Sequence, residues 1–280
     1  MRNLLWFLPT AILAVLLPGN AATTPQGDTL KIKLIHGRRI IVEAEIDHRC
    51  RVNALIDTGA DCSVISKGLA RRLHLRTLLQ DLGFVSIDRT VHRPFVIVPS
   101  VVVGPIRRTI DCLADDIPLD GVEMIIARDI LLRYSFTVDF RHRSIQFGDG
   151  VPLDHRVAFD HGEKGVVVPL KVGTREIPVL LDTGADDLVL FANRVSSWMP
   201  TNFSQAAGWI PGVSTRRLAI KVRLPHVRFC DAEIDAMDSY VLDAGSSSQA
   251  LEWHGLIGLS QLRANRVRFD FPNGQFSWER

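Results

Sequence analysis

ALIDTGADCSVI at 54–65 returns as VLLDTGADDLVL at 179–190, an offset of 182 − 57 = 125 residues. Further on, EMIIARDILLRYSFTVDFRHRSIQF (123–147) is echoed by HGLIGLSQLRANRVRFDFPNGQFSW (254–278). There Ala127 aligns with Gly258 and Asp139 with Asp270, both at an offset of 131. Two units in the same order and at nearly the same offset indicate a duplicated lobe. D-T-G by itself is an ordinary turn, since Asp and Gly are turn residues. Here both copies follow an apolar approach, Leu55-Ile56 and Leu180-Leu181, and precede Ala and a second Asp. An ionised Asp at the end of a buried strand is costly unless something hydrogen-bonds it. A turn gives no reason to repeat that cost at matched positions. Gly59 and Gly184 let backbone approach Asp57 and Asp182 closely, and Thr58 and Thr183 supply hydroxyls to pin the two loops together.

Around these motifs the chain is a succession of short β-branched or alternating runs: Leu30–Ile35, Ile40–Ile46, Phe95–Val98, Val101–Val103, Val166–Val172 and Leu218–Val222. Pro, Gly and Asp separate them, and long amphipathic helices are absent. The pattern predicts an all-β chain of strands and hairpins. Helices are expected to be brief, over Lys67–Leu75, Arg128–Tyr134 and Ser260–Ala264. The lobes are expected at 28–149 and 164–280, joined by a polar linker at 150–163.

The full chain has 280 residues, 46% hydrophobic and 23% charged, with a net charge of +2. This excludes disordered, collagen-like and disulfide-dense chains. It gives no electrostatic reason to expect a nucleic acid as partner. Residues 1–22, MRNLLWFLPTAILAVLLPGNAA, place Arg2 before an apolar run, Leu4 to Leu17, and small residues after it. That run is short of the roughly 20 residues a span needs, so an export signal is expected and with it a periplasmic or secreted protein. The alternative is a membrane anchor formed by the uncleaved segment. Cys50, Cys62, Cys112 and Cys230 form no C-x-x-C pair, so neither a zinc ribbon nor a thioredoxin-type site is supported. Disulfides and buried thiols both remain open. The nine His residues show no H-E-x-x-H or other metal spacing, and no metal is expected.

The paired D-T-G-A-D, the later IIARD and LIGLS segments and the closing hairpins resemble the retroviral-type (retropepsin-like) aspartic proteases. The resemblance covers most of residues 30–280. It implies two acid-protease β lobes related by a pseudo-twofold axis, each supplying half of one site. Such a chain is a monomer with an internal pseudo-dimer, acting without cofactor or metal on a peptide or protein substrate. In that likeness Asp57 and Asp182 hold one water and share one proton. Thr58, Gly59, Ala60, Thr183, Gly184 and Ala185 support the loops, and Asp61 and Asp186 bind substrate backbone. Arg128 stands where the family pairs an Arg with the second Asp, which gives an Asp61–Arg128 pair. Leu259 occupies that place in lobe two and leaves Asp186 without the corresponding partner. Ser63 is matched by Leu188, and Ala127 stands where the family prefers Gly. These departures motivate a second reading, a catalytically weak or inactive peptide-binding module on the same fold. A third has the lobes pairing with other chains.

A closing flap is expected at 83–95 or at 201–214, where Trp209 sits beside Gly208 and Pro211. An ordinary hairpin or loop accounts equally well for either. Asn202-Phe203-Ser204 fits a glycosylation sequon, as a chance match of three residues also would.

Overall fold

The computed structural model describes residues 28–85, 90–160, 165–199, 206–211, 216–243 and 252–280. The N-terminal segment 1–22, the sequon and the tips of both candidate flaps lie outside them. In lobe one a hairpin, Arg39–Ile46 and Cys50–Ile56, leads into the first D-T-G-A loop. Its leading strand reads RIIVEAEI, apolar enough that the ring buries most of it. The spatial order then runs Val122–Ile126, Val64–Ser66, Ile106–Asp115 and Thr90–Val103. Pairing of Glu45 with Val102 and Ile46 with Val101 closes the ring. Lobe two repeats it with Val167–Val172, Arg175–Asp182, Gly255–Gly258, Leu188–Phe191, Ala232–Leu242 and Arg216–Phe229. Leu170 paired with Phe229 and Val172 with Val227 close that barrel. In each lobe the strand that ends at the Asp loop lies parallel to the later apolar strand, Ile56 beside Ile126 and Asp182 beside Gly258.

Both candidate flap regions contribute hairpin strands. Arg76–Val85 pairs antiparallel with Thr90–Val103, and Ala206–Pro211 with Arg216–Phe229. The runs Phe95–Val98 and Val101–Val103 belong to one strand, interrupted by a bulge at Pro99-Ser100. Proline has no N–H to give the ladder, so the extra residues loop out there, and the freed Pro99 carbonyl accepts from Thr109 Oγ1 at 2.6 Å. Leu30–Ile35 is conversely split into Thr29–Lys31 and Lys33–Ile35, because Ile32 N turns to Arg143 O. Helices are shorter than the sequence suggested: Lys67–Arg72, Arg128–Leu131, and a 3-10 turn at Leu259–Leu262.

A third sheet joins the lobes. Its order is Thr29–Lys31, Ser144–Phe147, Ser135–Asp139, Arg266–Asp270, Gln275–Glu279, His155–Ala158. At the centre Thr137 pairs with Arg268, and Ser135–Asp139 runs antiparallel to Arg266–Asp270. Since 137 + 131 = 268, the residue pair at the centre is its own symmetry mate, and the pseudo-twofold axis passes through it. Phe136, Phe147, Phe269 and Phe276 are fully buried beneath this sheet, with the Phe136 and Phe269 rings in tilted contact across the lobes at 5.1 Å. Each such ring removed from water contributes roughly 1.5–3 kcal/mol, so the lobes share one core. The segment expected as a linker carries the strand His155–Ala158, and it reaches that far edge across the sheet's outer face. On the way Gly148 O accepts from the buried Arg268 guanidinium at 3.0 Å, and Leu153 N donates to Ser277 Oγ at 3.1 Å.

Candidate active site

The two D-T-G-A loops meet at the lobe interface through a reciprocal set of hydrogen bonds. Thr58 N donates to Thr183 Oγ1 at 3.0 Å, and Thr183 N to Thr58 Oγ1 at 3.1 Å. Each hydroxyl then donates across the interface, Thr58 Oγ1 to Leu181 O at 2.8 Å and Thr183 Oγ1 to Ile56 O at 2.6 Å. Both threonines are buried, so every donor and acceptor of the set is used where water does not compete. This fixes the positions of Asp57 and Asp182, which remain half-buried. Each glycine faces the opposite carboxylate: a Cβ built on Gly59 would overlap the Asp182 carboxyl group, and one on Gly184 would fall 2.5 Å from Asp57 Oδ2. No side chain fits between the loops, and the carboxylates come close enough to interact.

Hydrogen bonds hold the carboxylates unequally. Asp57 Oδ1 accepts from Gly59 N at 2.9 Å and Ala60 N at 3.0 Å. Asp182 Oδ1 accepts from Gly184 N at 2.7 Å, while Ala185 N donates to the Asp182 backbone carbonyl at 3.3 Å. Burial raises the Asp57 carboxyl above its ordinary range, and the N–H groups of Gly59 and Ala60 pull it back. Burial and then the neighbouring Asp57 charge push Asp182 well above that range.

Asp61 forms an ion pair with Arg128, at the start of the helix Arg128–Leu131. Asp186 also has an arginine, one that sequence reasoning missed: Arg39 reaches across from lobe one, 3.1 Å from Asp186 Oδ2. The sequence showed no more than an Arg heading an apolar run. Arg39 is a buried cation heading an apolar strand, and its counterpart in lobe two is Gly165. That equivalence follows from the registers, Ile41 beside Leu55 and Val167 beside Leu180. The exchange is reciprocal. In lobe one the cation comes from the helix, and Arg128 packs on Gly165, where a Cβ would lie 3.0 Å from its guanidinium. In lobe two the helical position is the apolar Leu259, and the facing hairpin supplies Arg39. Burial pushes Asp186 up to about 6 against the pull of Arg39, and raises Asp187 as well. Asp186 Oδ1 is buried without a hydrogen-bond partner.

The remaining departures are absorbed in lobe one by polar bonds and in lobe two by packing. Ser63 Oγ donates to Asp129 Oδ1 at 2.7 Å and accepts from Ala127 N at 3.1 Å; Leu188 is simply buried. All four cysteines are free thiols, with Cys112 fully buried. The side chain of Trp209 is not among those described.

Comparison with curated proteins gives no match. The aspartyl protease family model matches the chain twice, over residues 42–136 and 168–260, one match on each lobe and each spanning one D-T-G-A loop. The chain therefore belongs to the retropepsin-like aspartyl protease family, with both lobes fused in a single polypeptide.

Proposed function

We propose that this protein is an aspartic endopeptidase that hydrolyses peptide bonds in extended polypeptides, using one water held between Asp57 and Asp182. The observation that carries the reading is the meeting of two D-T-G-A loops, locked by the Thr58–Thr183 bonds, with no side chain between the carboxylates. Two unit charges about 3 Å apart at an effective dielectric of about 20 repel by roughly 5 kcal/mol. One carboxyl therefore keeps its proton over a broad pH range while the other is ionised. The ionised carboxylate takes a proton from the water as its oxygen attacks the scissile carbonyl carbon, and the other carboxyl gives its proton to the carbonyl oxygen. Collapse of the resulting gem-diol breaks the C–N bond: one carboxyl of the dyad protonates the leaving nitrogen while the other takes the proton of a diol hydroxyl, which restores the single shared proton. The Asp186 side chain keeps a quarter of its surface exposed, and its carboxylate is an acceptor suited to a backbone N–H of a strand-like substrate.

The substrate is a peptide or protein, the working unit a monomer with its internal pseudo-dimer, and the compartment outside the cytoplasm, supported by the apolar N-terminal run. The decisive experiment tests Asp57→Asn and Asp182→Asn separately on an unfolded protein. Loss of cleavage in both is expected. A wild type that cleaves nothing between about pH 3 and 7 overturns the reading in favour of a peptide-binding module.

A further inference from the structure

We propose that Ala127 is a positioning residue that makes the two halves of the dyad inequivalent, so that Asp57 activates the water and Asp182 carries the shared proton. The inference rests on the peptidase reading above and assigns the roles within it.

The two loops have the same four residues, Asp-Thr-Gly-Ala, yet they do not make the same hydrogen bonds. Ala60 N donates to the Asp57 carboxylate, whereas Ala185 N donates to the Asp182 main-chain carbonyl. The cause must lie outside the repeated tetrapeptide. Charge does not supply it. The same guanidinium, Arg39, acts on both carboxyls, and each carboxyl faces the other.

The neighbouring strand does differ. Asp182 lies in register with Gly258, and lobe two lays its loop directly on that glycine. A Cβ at Gly258 would fall 2.7 Å from the carbonyl carbon of Asp186 and 2.8 Å from that of Ala185. In lobe one Asp57 N donates to Ile126 O at 2.9 Å, which puts Ala127 in the matching place. Its methyl is 0% exposed, so it occupies space that lobe two gives to loop backbone. The first loop has to stand off by the depth of that methyl, and its anchors change accordingly. Gly258 N donates to Asp187 O at 3.0 Å, but Ala127 N donates to the Ser63 hydroxyl at 3.1 Å. Ala60 O accepts from Arg128 N at 3.1 Å, while Asp186 O accepts from Ser260 Oγ. The displaced loop turns Ala60 N onto the carboxylate. An acid that accepts two N–H groups is favoured in its ionised form over one that accepts a single N–H.

The test is Ala127→Gly, with Ala127→Ser as the variant that keeps a Cβ. In Ala127→Gly the acid limb of the kcat/KM profile is expected to move up by roughly one pH unit, since Asp57 loses a donor. Ala127→Ser should keep the wild-type profile. In parallel, the carboxyl carbons of Asp57 and Asp182 are followed by NMR through a pH titration. In the wild type the lower step should fall mainly on Asp57, and in Ala127→Gly the two residues should share it. A lower step on Asp182 overturns the inference, as does an Ala127→Gly protein with unchanged profile and titration. If Ala127→Gly does not fold, the wild-type titration still decides the assignment. A wild type without peptidase activity sinks the peptidase reading, while the titration continues to test what Ala127 does to the dyad.

Discussion

The two lobes brace their carboxylate loops from opposite directions. In lobe one the helix Arg128–Leu131 supplies the cation, and Arg128 pairs with an Asp61 whose side chain is 75% exposed. In lobe two the hairpin of the other lobe supplies it, and Arg39 pairs with an Asp186 that is only 25% exposed. Duplication therefore preserved the position of a guanidinium beside the second Asp but not the residue that delivers it. The lobe-two solution ties the lobes together, because Arg39 belongs to one and Asp186 to the other. Lobe one makes the reverse contact with no charge, Arg128 resting on Gly165.

Where the lobes are alike, the same substitution should do the same damage on either side. Gly59→Ala and Gly184→Ala each put a methyl into the opposing carboxyl group. Displacing a reacting group by about 1 Å costs roughly 100-fold in rate, so kcat/KM should fall by at least about that much in each variant. Thermal unfolding run alongside separates loss of the site from loss of the fold. A variant within tenfold of wild type would break the equivalence of the two glycines.

The arginines should behave unequally. Arg39→Leu leaves a largely buried Asp186 unpaired and is expected to cost about 2–3 kcal/mol at pH 7. Arg128→Leu leaves an exposed Asp61 that water can solvate, and should cost less than Arg39→Leu. Denaturant unfolding measures both. The sharper form is the double change Arg39→Gly with Leu259→Arg, which rebuilds the lobe-one arrangement in lobe two. It should recover more than half of what Arg39→Gly alone loses; no recovery would mean that the two arginines do not fill equivalent places.

The repeat made the lobes, the paired Asp57 and Asp182, and the Asp61–Arg128 position legible, because each depends on identity at a fixed offset. Arg39 was hidden by the same logic. Its counterpart Gly165 carries no charge, so comparing the halves shows an absence on each side and not the exchange between them. The strand at His155–Ala158 was hidden for another reason. Four residues amid Asp, His and Gly look like a linker, and only the free edge of the shared sheet gives them a partner, Gln275–Trp278. The bulge at Pro99-Ser100 was readable as a break but not as a continuation, since the pairing that bridges it comes from Ile106–Asp115.

A further expected effect concerns the pH dependence of the same lobe-two pair. Asp186 is raised to about 6, mainly by burial, against about 3.9 in an unfolded chain. Between those values the folded protein holds a proton that the unfolded chain has released. Folded stability should therefore fall as pH rises from about 4 to 6, and level off above the folded value. The full shift corresponds to about 3 kcal/mol, and partial exposure brings the expected slope down to about 1–2 kcal/mol. Asp186→Asn removes the titrating group, so its stability relative to wild type should improve across that window and stay constant beyond it. Urea unfolding of wild type and Asp186→Asn at pH 4, 5, 6 and 7 reads the difference directly. A flat difference for Asp186→Asn would mean that Arg39 offsets the burial completely.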